Sequence, residues 1–191
     1  MKNKFGLFIG RLQPFHKGHQ EIVNEILLDG LIPIIVLGSS NSDRNIEKNP
    51  LTFAQRKELI RLVYPNVPIV FVRGIDANDW DVWFQQLTEE IKTVLYREFD
   101  LDVACIADVA TLYFHNKSVD RQSFEFDGKE YKDAFYTEAF ETKGFNLKPI
   151  KFVKRDDIKI DSNARDIREN LEGMKHLLDA RVFFKLKKWG W

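Results

Sequence analysis

The chain contains 191 residues, of which 44% are hydrophobic and 13% aromatic, so it can bury one substantial core. Lysine plus arginine and aspartate plus glutamate both number 29, and this balance excludes a global charge that would attract nucleic acid or an anionic membrane. We expect a single cytoplasmic domain over residues 1–191, because neither a signal peptide nor an apolar span of bilayer length is recognisable. The lone cysteine, Cys105, excludes an intramolecular disulfide and is expected to be a buried strand residue.

Apolar runs that suit strands alternate with segments of helical period, and this alternation is typical of a parallel sheet covered by helices. The predicted strands are residues 4–10, 32–37, 67–72, 103–107 and 147–153. The predicted helices are residues 18–28, 52–63 and 79–99, and a capping box, "TFAQ", opens the second of them. The fold class is therefore expected to be α/β, with a doubly wound parallel sheet.

The segment 108–146 interrupts this rhythm and is expected to be an insertion near the far edge of the sheet. Within it, "FEFDGKEY" predicts a tight Asp-Gly hairpin or turn and "YKDAFYTEAFE" a short helix. From Asn163 onward the pattern predicts C-terminal helices with a break at Gly173.

The stretch "FIGRLQPFHKGHQEIV" joins the first predicted strand to the first predicted helix. Its loop lies at the carboxyl end of a parallel strand, where α/β sheets bind ligands, and it leads into a helix N-terminus, which attracts phosphate. Gly10 allows close approach, and Arg11, His16 and His19 can converge on one anion. A metal-binding pair or a purely structural pair of histidines is the alternative. The favourable phosphate position, occupied by two of only four histidines, favours an anion site.

The stretch "GRLQPFHKGH" resembles the G-R-F-Q-P-F-H-x-G-H signature of nucleotidyltransferases that carry an H-x-G-H motif. In this long form it is most similar to nicotinamide-mononucleotide adenylyltransferases of the archaeal type. Within the signature the visible departure is Leu12, where the family prefers an aromatic residue. The stretches "GSSNSDRNIEKNPLTFAQR", "GIDANDWDVWFQQL" and "SNARDIRE" resemble further family motifs in the same order, so the resemblance covers about residues 4–172.

This resemblance implies a Rossmann-like nucleotidyltransferase fold and the transfer of AMP from ATP to nicotinamide mononucleotide, which gives NAD and pyrophosphate. It implies catalytic roles for Arg11, His16 and His19. The implied ATP ligands are Gly10, Arg11, His16, His19, Ser162, Arg165 and Arg168. The implied mononucleotide ligands are Ser39, Ser40, Arg44, Lys48, Asp76 and Trp83. Mg²⁺ would be carried by the ATP phosphates and water, without a dedicated protein cage.

Several of these assignments have structural alternatives. Ser39 and Ser40 also suit a plain turn, one of Arg44 and Lys48 is expected to bind phosphate, and Trp83 suits core packing as well as stacking on nicotinamide. Arg165 stands where the family has a small hydroxyl residue, so it either binds the ATP phosphates or points to solvent while Ser162 or Asn163 takes over the capping of the helix.

Two other functions remain open at this point: an adenylyltransferase that acts on pantetheine phosphate or flavin mononucleotide, and a sensor that binds NAD or ATP without turnover. The two histidines favour an enzyme over a sensor, because a sensor needs no transition-state contacts. The sequence leaves self-association open.

Overall fold

The computed structural model describes residues 4–41, 47–115, 124–126, 129–131, 139–150 and 164–191. Five parallel strands form one sheet in the order β3-β2-β1-β4-β7, and two further strands, β5 and β6, pair antiparallel. The strands are β1 (Phe5–Gly10), β2 (Ile32–Leu37), β3 (Val70–Arg73), β4 (Ala110–His115), β5 (Phe124–Phe126), β6 (Lys129–Tyr131) and β7 (Asn146–Ile150). The helices are α1 (Lys17–Leu28), α2 (Phe53–Val63), α3 (Trp80–Phe99), α4 (Ala164–Glu169) and α5 (Ala180–Lys188), with 3-10 turns at Ile106–Asp108 and Lys175–Leu177.

Successive residues of a strand point to opposite faces of the sheet, and a buried apolar cluster covers each face. One buried cluster packs apolar residues of α1, α2, α4 and α5 against Phe8, Ile35 and Leu37. The other packs α3 and the Ile106–Asp108 turn against Leu7, Ile34 and Val36 of the same strands. The predicted doubly wound parallel sheet is therefore confirmed. No helix among the described residues is long and apolar enough to cross a bilayer.

The carboxyl ends of β1, β2 and β3 lie level with one another, since Gly10 pairs with Leu37 and Leu37 with Arg73. The glycines at and just after these ends form a row without side chains. The Gly38 N–H donates to the Gly10 carbonyl at 3.0 Å, and a Cβ on Gly74 would lie 3.0 Å from the Cα of Gly38. This close approach requires glycine at position 74 and leaves main-chain groups at the edge of the sheet where ligands bind.

The fourth strand of the sheet is not residues 103–107, as predicted, but β4. In "VACIA" the side chains of Val103, Ile106 and Ala107 are buried while Cys105 is exposed, and the run ends in a 3-10 turn. A short apolar run does not distinguish a strand from a packed turn. The expectation that Cys105 is a buried strand residue is wrong for the same reason.

The segment 108–146 is likewise not simply an insertion at the edge, because it contains β4, which pairs with the central strand β1. The antiparallel pair β5–β6 confirms the two strands of the predicted hairpin, and the Asp-Gly turn between them lies outside the described residues. The predicted short helix is seen at residues 139–142, and the rest of that prediction lies outside the described residues.

The third strand begins later than predicted, at Val70. Just before this strand the Arg61 guanidinium donates to the carbonyls of Val67 at 2.5 Å and Ile69 at 3.0 Å, so a side chain of α2 binds the segment that was expected to begin the strand. The last strand begins at Asn146, and residues 151–153 of its prediction lie outside the described residues.

Helix starts follow their predicted caps. Thr52 Oγ1 accepts from the Gln55 N–H and Gln55 Oε1 from the Thr52 N–H, so the capping box is confirmed. Asp79 caps α3 by accepting from the Val82 N–H at 2.9 Å. The C-terminal helices are separated by a longer stretch than a break at Gly173 alone predicts, since α4 ends at Glu169 and α5 begins at Ala180.

Candidate active site

The β1–α1 loop carries the predicted histidine pair at the N-terminus of α1. His16 is the N-cap residue and His19 lies in the first turn, and their rings stack with centroids 3.6 Å apart. The His16 main-chain N–H donates to His19 Nδ1 at 3.3 Å. Because Nδ1 accepts this bond, a neutral His19 ring carries its proton on Nε2, and that nitrogen is a hydrogen-bond donor.

The residues around the histidines fix their rings. His19 stacks on the buried ring of Phe15 with centroids 5.9 Å apart and an interplanar angle of 17°. A Cβ on Gly18 would lie 3.1 Å from His16 Cε1 and 3.2 Å from its Nδ1, so glycine at this position leaves room for the ring. The pair is therefore held at the helix N-terminus, where the helix dipole and main-chain N–H groups favour an anion.

A side chain that the sequence reasoning missed, Arg56 of α2, holds the loops of this site together. It is 0% exposed, and its Nη1 donates to the carbonyls of Arg11 at 2.8 Å and Gly38 at 2.6 Å. Its Nη2 donates to Ser40 Oγ at 3.1 Å. The loops after β1 and β2 thus share one buried guanidinium. A signal in the sequence was present, because Arg56 precedes the buried residues Leu59 and Ile60 by one helical turn and so lies on the buried face of α2.

A second buried polar residue, Gln13, joins the β1–α1 loop to the segment before α2. Its Nε2 donates to the Leu51 carbonyl at 2.8 Å and its Oε1 accepts from the Leu51 N–H at 2.9 Å. Leu12, the departure from the family signature, is buried with φ at +51°, a conformation that is uncommon outside glycine. The loop is therefore held in one specific shape beside the histidines.

Beside this loop lies a cavity of about 880 Å³, which we call the cationic cavity. Four of its lining residues are cationic and two are acidic, and the remainder are largely apolar. The lining residues are Arg11, Glu47, Lys48, Pro50, Ala164, Arg165, Arg168, Glu169, Leu171 and Trp191. His16 and His19 are not among them, although they share the β1–α1 loop with Arg11. The volume lies in the range of small-ligand pockets, and the excess of positive charge suits a polyanion.

Arg168 of α4 closes this cavity onto the β1–α1 loop. Its Nη1 donates to the Gln13 carbonyl at 2.7 Å and its Nε to the Glu47 carbonyl at 3.0 Å. Burial lowers the pKa of the Arg168 guanidinium, and the positive charge of Arg11 lowers it further. The partly buried Arg168 guanidinium and the neighbouring positive charge of Arg11 therefore form a site that gains by binding an anion.

Arg165 lies one helical turn before Arg168, and its side chain is 73% exposed. Its Nε donates to Glu169 Oε1 at 2.8 Å, and this carboxylate raises the pKa of Arg165. The side chain lines the cationic cavity and faces solvent at once, so both sequence alternatives stay open. The capping role considered for Ser162 or Asn163 lies outside the described residues, as does the predicted ligand Arg44.

The phosphate-binding alternative implied by the family resemblance predicts that Arg165→Thr raises KM for ATP several-fold, because a phosphate would lose a charged hydrogen bond, and that Arg165→Lys raises it less. Steady-state kinetics with ATP as the varied substrate measure the effect. Arg181→Thr is the matched control, since Arg181 is also an exposed helical arginine paired with a carboxylate, that of Asp179 at 2.8 Å. An Arg165→Thr protein with the KM of the control would assign phosphate binding to Arg168 alone.

The loops after β2 and β3 meet at a second group, which we call the Ser39–Asp76 pair. Ser39 Oγ donates to Asp76 Oδ1 at 3.1 Å, and Ser39 has φ at +52°. The Asn41 side chain bonds both main-chain groups of Asp76, donating to the carbonyl at 3.1 Å and accepting from the N–H at 3.0 Å. Two predicted mononucleotide ligands are thus brought together, with the exposed Asp76 carboxylate on a fixed loop.

The remaining predicted mononucleotide ligands are placed differently. Ser40 is buried, and its hydroxyl donates to the Leu37 carbonyl at 2.6 Å and accepts from Arg56, so its described bonds serve the fold. Lys48 lines the cationic cavity. Trp83 is half-buried in the first turn of α3, with its ring centroid 4.9 Å from Trp80 and 6.2 Å from Phe140, which supports its packing role; stacking on nicotinamide stays a prediction.

A parallel sheet with a stacked histidine pair at a helix N-terminus and a cationic cavity beside the same loop defines an α/β protein whose site suits phosphorylated ligands. The family model described as cytidylyltransferase-like matches residues 7–145, which is more than half of the chain. The chain therefore belongs to the cytidylyltransferase-like family.

Curated relatives give finer detail. A nicotinamide-nucleotide adenylyltransferase of Thermoplasma acidophilum is 35% identical over 100 residues, covering 49% of this chain and 55% of that protein. A nicotinamide/nicotinic acid mononucleotide adenylyltransferase of Acinetobacter baylyi is 33% identical over 92 residues, covering 47% of this chain and 48% of that protein. The chain spans about half the length of the curated relatives it matches.

Solved structures share the fold. A bifunctional NMN adenylyltransferase/ADP ribose pyrophosphatase of Francisella tularensis, in complex with AMP and a manganese ion, superposes with a TM-score of 0.59 at 21% identity, covering 94% of this chain and 44% of that chain. A nicotinic acid mononucleotide adenylyltransferase of Plasmodium falciparum, in complex with NaAD, superposes with a TM-score of 0.58 at 12% identity. The match covers 99% of this chain and 96% of that chain. The predicted Rossmann-like nucleotidyltransferase fold is therefore confirmed.

Proposed function

We propose that this protein transfers AMP from ATP to nicotinamide mononucleotide, giving NAD and pyrophosphate. The observation that carries the proposal is the stacked pair of His16 and His19, fixed at the N-terminus of α1 on the loop that also supplies Arg11 to the cationic cavity. The names of the curated relatives from Thermoplasma and Acinetobacter support the same reaction.

In this reaction a 5′-phosphate oxygen of the mononucleotide attacks the α-phosphorus of ATP, and the bond from that phosphorus to the oxygen bridging to the β-phosphate breaks. Negative charge shifts to the leaving pyrophosphate. Such a transfer needs little covalent participation from the protein, so positioning and charge neutralisation supply most of the catalysis.

The histidines and the helix N-terminus would act on the ATP phosphates. His19 would donate from Nε2, and the α1 main-chain N–H groups would add their partial positive charge. Because Phe15, Gly18 and the His16 main chain already fix the rings, little reorganisation would accompany charge development.

The cationic cavity would hold the triphosphate through Arg11, Arg165 and Arg168, with Lys48 as a further cation. Gly10 would let the ligand approach the main chain at the end of β1. The Ser39–Asp76 pair, on the loops after β2 and β3, would hold the mononucleotide: its carboxylate can accept from the amide of nicotinamide, and Trp83 offers an aromatic ring on the helix that follows.

A divalent cation is proposed to enter with the triphosphate. The described residues hold no group of three or more histidine, cysteine or acidic side chains that suits a metal ion, and the cationic cavity is a poor cage for one. Oxygens of the triphosphate and water are the ligands that Mg²⁺ prefers, so the substrate itself would carry the ion.

A product assay tests the proposal. The protein is incubated with ATP, Mg²⁺ and one phosphorylated acceptor at a time: nicotinamide mononucleotide, nicotinic acid mononucleotide, phosphopantetheine or flavin mononucleotide. Mass spectrometry should detect NAD and pyrophosphate with the first acceptor. Adenylylation of phosphopantetheine or flavin mononucleotide alone would overturn the assignment of the acceptor, and ATP binding without any adenylylated product would indicate a sensor.

We expect chelation of divalent metal to abolish turnover while leaving the melting temperature of the ligand-free protein unchanged, because the ion belongs to the substrate and not to the fold. Thermal unfolding with and without EDTA, beside activity with EDTA and with added Mg²⁺, measures both parts. A large drop in melting temperature on adding EDTA would reveal a structural metal.

A further inference from the structure

We propose that Trp191 is the stacking surface for the adenine base of ATP, an inference that rests on the proposed function and deepens it. Trp191 lines the cationic cavity together with Leu171, Pro50 and Ala164, so the cavity that offers cations for a triphosphate also has an apolar part. A nucleoside triphosphate has this same division into a polyanion and an apolar base.

Trp191 is held in place by the segment that precedes it. The main-chain N–H of Trp191 donates to the Leu186 carbonyl at 3.2 Å. The chain turns at Gly190, whose φ of +87° suits glycine. Its half-buried ring packs against the first core cluster, which includes Leu171 and Leu186. The indole is thus a fixed part of the cavity wall.

The helix before Trp191 is itself fastened to the rest of the site. Val182 and Leu186 of α5 are 0% exposed, and Lys185 forms an ion pair with Glu58 of α2, the helix that carries Arg56. Lys187 pairs with Glu172, just after α4, at 2.7 Å. Consequently α5, which precedes Trp191, is tied to α2 and to the segment just after α4, the helix that supplies Arg165 and Arg168 to the cavity.

The chemistry of an indole favours a base over a phosphate. Tryptophan has a large flat π surface that stacks on nucleobases and tolerates different bases, because every base has a π face. Trp191 would therefore contribute affinity for a nucleoside triphosphate over a bare polyphosphate, and little discrimination between adenine and guanine.

The experiment compares ATP with inorganic tripolyphosphate, which has the anionic part without the base. Binding of each is measured by calorimetry for the parent, Trp191→Ala and Trp191→Phe, with Trp189→Phe as the matched control in the same segment. We expect Trp191→Ala to weaken ATP binding about tenfold and tripolyphosphate binding hardly at all, with Trp191→Phe between parent and Trp191→Ala. Melting temperatures identify any variant that fails to fold. If Trp191→Ala does not fold, Trp191→Phe still tests the proposal.

Unchanged ATP binding in a folded Trp191→Ala protein would overturn the inference, as would an equal loss for ATP and tripolyphosphate, which would make Trp191 a support for the wall. The proposed function fails separately: if the parent binds ATP in a Trp191-dependent manner and forms no NAD, the base site stands and the reaction does not.

Discussion

His19→Ala is expected to lower kcat by about 100- to 1000-fold, the typical cost of removing one preorganised donor to a developing charge. The ring that is lost stacks on the rings of His16 and Phe15, with centroids 3.6 Å and 5.9 Å away. Its Nδ1 accepts a hydrogen bond from the His16 main-chain N–H. The substitution therefore removes the Nε2 donor and also the stacking contact of the His16 ring with His19. Steady-state kinetics with both substrates measure the change.

The fold should tolerate this substitution, because His19 is only half-buried and the helix retains its apolar face, which includes Ile22 and Val23. His176→Ala is the matched control, since His176 is exposed in the Lys175–Leu177 turn and has no assigned role. Circular dichroism and melting temperature confirm folding of both variants. Near-parental kcat in a folded His19→Ala protein would remove the histidine from the reaction.

The order of strands and helices was predictable from the sequence because period and capping are local properties. The capping box of Thr52 and Gln55 and the cap of Asp79 fix helix starts within one residue of the predictions. The errors arise where side-chain contacts and packing determine the structure. The Arg61 side chain binds the carbonyls of Val67 and Ile69 just before β3, and the apolar run around Cys105 packs as a turn while β4 pairs with β1.

For the candidate site as well, local motifs were predictable from the sequence and tertiary contacts were not. A family signature within one loop identified Arg11, His16 and His19, because all three follow from adjacent letters and from the strand–helix junction that surrounds them. The sequence did not reveal that Ser40 faces Arg56 and that Lys48 joins the cationic cavity with α4, because these are contacts across 16 residues in one case and more than 100 in the other. Tertiary packing, and not local pattern, determines which polar side chain at a strand end is free to meet a ligand.

Among the tertiary contacts that the sequence did not reveal, we expect those of Arg56 to contribute most to stability. We expect Arg56→Met to lower the free energy of unfolding by about 3 kcal/mol, because the partly buried carbonyls of Arg11 and Gly38 each lose their charged donor at about 1–3 kcal/mol per group. Methionine approximates the length of the side chain, so the loss reports hydrogen bonds more than volume. Denaturant unfolding of the ligand-free protein measures it.

Arg56→Lys should be destabilised less than Arg56→Met, since an ammonium group can still donate to one or both carbonyls, although it lacks the planar fork that reaches Ser40 as well. Arg97→Met is the matched control on α3, where the arginine is 65% exposed and a change within about 0.5 kcal/mol is expected. A loss for Arg56→Met as small as that of the control would mean that the loops after β1 and β2 hold their shape without the buried guanidinium. A large loss would establish that the loop carrying Arg11 and the histidines depends on a charge supplied from α2.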